Sequence, residues 1–119
     1  MTTAAANGTG TLDVITGVED EELAGIPEEF ALQQNYPNPF NPETTIRYQL
    51  PESANVLVKI YNLKGQLVRT LVNENKEAGF HEIVWDARDE TDQSMPSGVY
   101  FYRIQAGDFV EVKKLTLLR

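Results

Sequence analysis

The chain has no cysteine and only one histidine, His81, among its 119 residues. The first absence excludes a disulfide framework and a thiolate metal site. The second leaves too little to build a nucleophile–base pair. Walker and dinucleotide-binding motifs are also missing, and no apolar run is long enough for a membrane-spanning helix. Met1–Ala6, MTTAAA, has neither the basic start nor the apolar core of a secretory signal. Positive charge is missing from the N-terminal third. No Lys or Arg precedes Arg47, whereas Asp13, Glu19, Asp20, Glu21, Glu22, Glu28, Glu29 and Glu43 all do. The net charge of −8 therefore sits on this stretch, and the remainder is neutral. A neutral body with an acidic lead-in lacks the basic face that nucleic-acid binding needs.

Residues 1–30 read as an acidic linker and the tail of a preceding region. They hold one strand-like run, Thr11–Thr16, and a short glycosylation sequon, Asn7-Gly8-Thr9. Residues 31–119 read as one domain with no helical pattern. TTIRYQL puts Ile46, Tyr48 and Leu50 on one face, and NVLVKIYN does the same for Val56, Val58 and Ile60. NLKGQ is a hairpin turn in which Gly65 supplies a positive φ. QLVRTLV, FHEIVWD, GVYFYRIQ and FVEVKKLTLL complete six strands. In GVYFYRIQ both phases are apolar, which predicts a central strand covered on both sides. The regular turns predict an all-β fold, an Ig-like antiparallel β-sandwich of about seven strands.

The seventh strand must come from QQNYPNPFNPETTI, which packs three prolines and three asparagines into residues 35–42. It reads as an irregular Pro-rich first edge strand that closes the sandwich. At three residues per turn, Asn35, Asn38 and Asn41 share one ridge. The asparagine amides can replace hydrogen bonds that proline cannot donate, and Tyr36 and Phe40 are expected to be buried. A proline-rich ligand for a partner is the alternative reading.

Few residues offer chemistry. His81 is in phase with Ile83 and Trp85 and reads as a half-buried packing residue. Asp86, Asp89, Glu90 and Asp92 are weak candidates for calcium, because their spacing is not that of an EF-hand; a solvated loop with local caps is the plainer reading. The aromatics of GVYFYRIQ offer a sugar platform less readily than a core. The chain is expected not to be an enzyme and to need no cofactor.

The runs LQQNYPNPFNPETTIRYQLP, VLVKIYNLKGQLVRTLV, GFHEIVWDARD and PSGVYFYRIQAGDFVEVKKLTLLR resemble the type A C-terminal sorting domain of the bacterial type IX secretion system. That domain is similar to the Ig-like domain of the flagellar hook-capping protein. The resemblance covers Leu32–Arg119 and implies a sorting signal for a larger cargo protein fused at its N-terminus. The implied partners are the outer-membrane translocon, a shuttle protein and a sortase-like peptidase that removes the domain. The implied destination, through the periplasm, is the cell surface or medium. The chain is then expected to be the tail of a precursor whose export signal lies elsewhere. The implied recognition residues are Gly98, Val99 and Tyr100, with Lys113, Lys114, Leu115, Leu117, Leu118 and Arg119. A terminal strand at a sheet edge, with Lys at its centre, would leave backbone groups for a chosen receptor. The resemblance also implies glycine at two places in the loop after Trp85, one where this chain has Ala87 and one further along, near Asp92. Other readings are a passive Ig-like spacer or adhesion module, and a carbohydrate- or calcium-binding sandwich.

Overall fold

The computed structural model describes residues 26–119, together with the strand segments Thr2–Ala5 (β1) and Asn7–Leu12 (β2), which pair antiparallel. The sequon Asn7-Gly8-Thr9 falls on β2. The acidic run from Asp13 to Gly25, and the end of the Thr11–Thr16 run, lie outside the described residues.

Seven further strands form the sandwich: β3 (Ala31–Leu32), β4 (Thr44–Leu50), β5 (Ala54–Tyr61), β6 (Leu67–Lys76), β7 (Gly79–Trp85), β8 (Gly98–Ala106) and β9 (Phe109–Leu117). They make an antiparallel three-stranded sheet, β3-β4-β7, and an antiparallel four-stranded sheet, β6-β5-β8-β9. Period-two alternation explains the arrangement. Ile46, Tyr48, Leu50 and Trp85 face Val56, Val58, Ile60, Tyr102 and Ile104 across an apolar core. Burying each such side chain stabilises the fold by about 1.5–3 kcal/mol. His81 is half-buried and stacks on Tyr48, ring centroids 5.3 Å apart. At the β5–β6 turn the Asn62 carboxamide oxygen accepts from the Lys64 and Gln66 amides, and Gly65 has φ +80°.

The seventh strand is β3, Ala31–Leu32, which precedes the Pro-rich segment. The segment itself forms no strand but closes the sandwich through two isolated bridges, Tyr36 to Thr45 and Phe40 to Leu117, and so serves both sheets. Its first half follows β4: the Gln33 amide donates to the Arg47 carbonyl, and Tyr36 exchanges both backbone bonds with Thr45. Its second half lies parallel to β9: the Phe40 amide donates to the Thr116 carbonyl, and the Leu118 amide donates to the Phe40 carbonyl. Between them the Asn35 side chain, 2% exposed, donates to the Pro37 carbonyl and the Thr44 hydroxyl and turns the chain. Asn38 accepts from the Thr116 amide, so two of the three asparagines supply bonds in this proline-rich stretch.

Phe40 is buried, 2% exposed, with its ring 5.7 Å from that of Trp85. Tyr36 is not buried: it is 72% exposed. The cause is its pairing with Thr45. Paired residues of an antiparallel ladder project to the same face, and Thr45 belongs to the outward phase of β4. The three-residue ridge of asparagines also fails, since Asn38 and Asn41 are exposed while Asn35 is buried. The segment crosses from one sheet edge to the other instead of running straight. A second expectation changes for β8. It is central, between β5 and β9, but only its inner face is sealed; Val99 and Phe101 on the outer face are half-buried.

The loop after Trp85 has positive φ at Ala87, where glycine was expected, and at Asp92, near which the second glycine was expected. Ala87 and Asp92 are the only non-glycine residues among those described with positive φ, at 63° and 68°. Asp92→Gly should stabilise the domain by about 0.5–1 kcal/mol, because that conformation suits a residue without Cβ. Its ion pair with Arg88 is long, 3.9 Å, and exposed, so little is lost with it. Ala87→Gly should be close to neutral, because it also removes a fully buried methyl group. Urea unfolding of the two variants checks the contrast.

Candidate functional site

The two halves of the expected recognition signal meet. β8 and β9 are joined by a tight turn at Gly107, so the start of β8 lies against the end of β9. Gly98 pairs with Leu117, Val99 with Thr116 and Tyr100 with Leu115. Their side chains play different parts. Tyr100, Leu115 and Leu117 are buried, with the Tyr100 ring edge-on to Trp85 at 5.4 Å. Gly98, Val99 and Lys113 are half-buried, and Lys114, Leu118 and Arg119 are exposed. Lys113 pairs with Glu111 at 3.3 Å. Of the expected recognition residues, Lys114, Leu118 and Arg119 are thus exposed in the folded domain and Val99 partly so, while Tyr100, Leu115 and Leu117 hold the core. A shallow cleft of about 280 Å³ opens beside Gly98–Tyr100, walled by the Asn62–Gln66 turn.

β9 is a sheet edge, as expected, but its outer backbone groups are not free along its last part. The Lys114 carbonyl accepts from the Gln34 carboxamide, and the Thr116 groups bond Asn38 and Phe40. The Pro-rich segment thus fills the edge that the sequence left for a receptor. The reason is local: Gln34, Asn38 and Phe40 are carried there by the crossing between sheets. Tyr102 anchors that crossing. Its hydroxyl donates to the Gln33 carbonyl at 2.7 Å and accepts from the Asn35 amide at 2.8 Å. Burial pushes its pKa up to about 12, so the phenol keeps the proton that it donates.

Arg119 holds the chain end to the long loop. Its backbone amide donates to the Ser97 hydroxyl, and its guanidinium donates to the Met95 carbonyl at 2.7 Å and to the Ala87 carbonyl at 3.4 Å. The acidic part of that loop covers the opposite edge of the sheet, β6. The Glu90 carboxylate accepts from the Thr70 amide, and the Glu90 amide donates to the Val68 carbonyl. Asp89 accepts from the Gln93 amide and from the Thr91 amide and hydroxyl, bonds that hold its carboxyl below the ordinary range. Asp86 accepts from the Arg88 amide. Among the described residues these four carboxylates do not converge into a group arranged to hold a metal ion.

Comparison with known proteins places the sandwich. The profile described as FlgD Ig-like domain matches residues 39–108. The chain belongs to this family. In this FlgD Ig-like domain the matched stretch runs from the Pro-rich segment through β8 to the β8–β9 turn, and β9 lies beyond it. Among solved structures, dimeric latent PorU from Porphyromonas gingivalis superposes with a TM-score of 0.62 at 22% identity, over 76% of this chain and 9% of that one. PorZ of the same organism, an essential bacterial surface component of the type-IX secretion system, gives 0.51 at 22% identity, over 77% of this chain and 12% of that one. FlgD from P. aeruginosa gives 0.50 at 28% identity, over 62% of this chain and 57% of that one. No curated protein matches. The chain thus spans about a tenth of PorU and PorZ, and the likeness to them is one of fold.

Proposed function

We propose that this domain is a C-terminal sorting signal. It directs a larger cargo protein, fused at its N-terminus, across the outer membrane by type IX secretion, and is removed at the surface by a sortase-like peptidase. It carries an address rather than chemistry and needs no cofactor. The observation that supports this most is the junction of Gly98–Tyr100 with Leu115–Arg119. The two ends of the β8–β9 hairpin form one patch at the chain end, pinned by Arg119 and backed by the core. The occurrence of the same fold in PorZ, itself a surface component of that system, agrees with the reading. On this reading the shuttle and translocon contact Val99, Lys114, Leu118 and Arg119 on the folded domain.

The test keeps the fold intact. Lys114→Gln with Leu118→Gln changes two exposed side chains and no backbone bond. In a fusion of signal peptide, reporter and residues 26–119, this variant should melt like the parent. Surface and medium reporter should fall roughly tenfold, the loss expected for removing one or two interface anchors. Export equal to the parent's would favour the passive spacer reading of this patch.

A further inference from the structure

The outer face of the four-stranded sheet has a composition that its fold does not require, and only Val99 and Lys114 of it belong to the proposed sorting patch. β5 presents Lys59 and Tyr61 there, β8 presents Phe101 and Arg103, and β9 presents Val112 and Lys114. Lys59 and Arg103 are direct cross-strand partners, and Phe101 lies between Tyr61 and Lys114. Neither β5 nor β8 contains an acid, and Glu111 of β9 is in the inward phase. Four other cations are paired, Arg69 with Asp86, Lys76 with Glu74, Arg88 with Asp92 and Lys113 with Glu111, whereas Arg47, Lys64 and Arg119 form no ion pair among the described residues. None of the three on this face has an ion-pair partner among the described residues. Like charges directly opposite one another destabilise a sheet. A chain with eighteen acids and ten bases keeps such a pair here without a counter-charge.

We propose that this face docks an acidic polypeptide segment. Its carboxylates sit over Lys59 and Arg103, and its apolar side chains cover Tyr61, Phe101 and Val112, the last of which is 52% exposed. Charge complementarity selects the acid. The neighbouring edge selects a polypeptide: β9 is covered by the Pro-rich segment only from Lys114 onward, and no strand pairs with its outer edge at Val110–Val112 among the described residues. An extended peptide can use those backbone groups as well as the cations. The proposal does not depend on the sorting role, since Lys59 and Arg103 lie outside the terminal patch.

The probe is a synthetic peptide of alternating glutamate and leucine, titrated into the full chain at low salt, where surface charge is least screened. Amide shifts should concentrate at Lys59, Phe101, Arg103 and Val112. Lys59→Gln with Arg103→Gln should weaken binding at least roughly tenfold. Arg47→Gln, on the outer face of the other sheet, should leave it unchanged. Lys59→Gln alone should melt no lower than the parent, because it removes a repulsion; a purely structural lysine would lower the melting temperature. The proposal is overturned if the shifts fall elsewhere or the double variant binds as the parent does. Tighter binding of a polyuronate or of vesicles containing phosphatidylglycerol overturns it too.

Discussion

Phe40→Ala is expected to cost about 3–5 kcal/mol, the range for removing a fully buried aromatic ring. Tyr36→Ala, four residues earlier, should cost less than about 0.5 kcal/mol, as exposed substitutions do. The two aromatics look alike in sequence, and the difference rests on the crossing between sheets. Phe40 is 2% exposed and packs against Trp85 beneath the end of β9. Its backbone also bonds both Thr116 and Leu118. Truncation opens a cavity at the seam and loosens the pairing that holds the chain end. Small domains are stable by about 5–15 kcal/mol, so the variant should lose a large share of its stability. Urea unfolding of the three proteins measures both numbers. Equal costs at the two positions would mean that the segment does not close the sandwich.

Truncation after Lys113 should have a larger effect and abolish cooperative unfolding. Leu115 and Leu117 are fully buried, and losing each costs about 2–5 kcal/mol at a core position. The same cut takes away the bonds from Thr116 and Leu118 to Asn38 and Phe40, and the Arg119 clamp on the long loop. Far-UV circular dichroism against urea should show a broad, sloping change in place of a transition. A sharp transition near the parent's midpoint would contradict the packing described for β9. It follows that lost export after a terminal deletion cannot by itself distinguish a missing signal from a missing fold. Exposed-residue variants separate the two.

The strands were legible because one buried face forces a period of two. A one-residue slip would turn Ile46, Tyr48 and Leu50 outward, so the sequence is constrained to show the pattern. The hairpin at Gly65 was legible for a similar reason: its backbone needs a residue that accepts positive φ. The closing role of the Pro-rich segment could be read from the strand count and the asparagines. The outward turn of Tyr36 could not, because it follows from pairing with Thr45, which no local pattern announces. Both halves of the proposed recognition patch were visible as separate motifs, and the ladder joins them. What covers the edge of β9 was hidden, because Gln34 and Asn38 reach Lys114 and Thr116 across about two-thirds of the chain. The acidic loop misleads in the same way. Glu90 and Asp89 read as a local cluster, yet Glu90 caps the Thr70 amide of a strand twenty residues earlier.

The most direct measurement places a periplasmic signal peptide and a fluorescent reporter ahead of residues 26–119. It compares a bacterium that has the type IX translocon with the same strain lacking it. The sorting account predicts reporter on the surface or in the medium only when the translocon is present, and periplasmic reporter when it is deleted. Periplasmic reporter in both strains, with the fused domain folded, would contradict it.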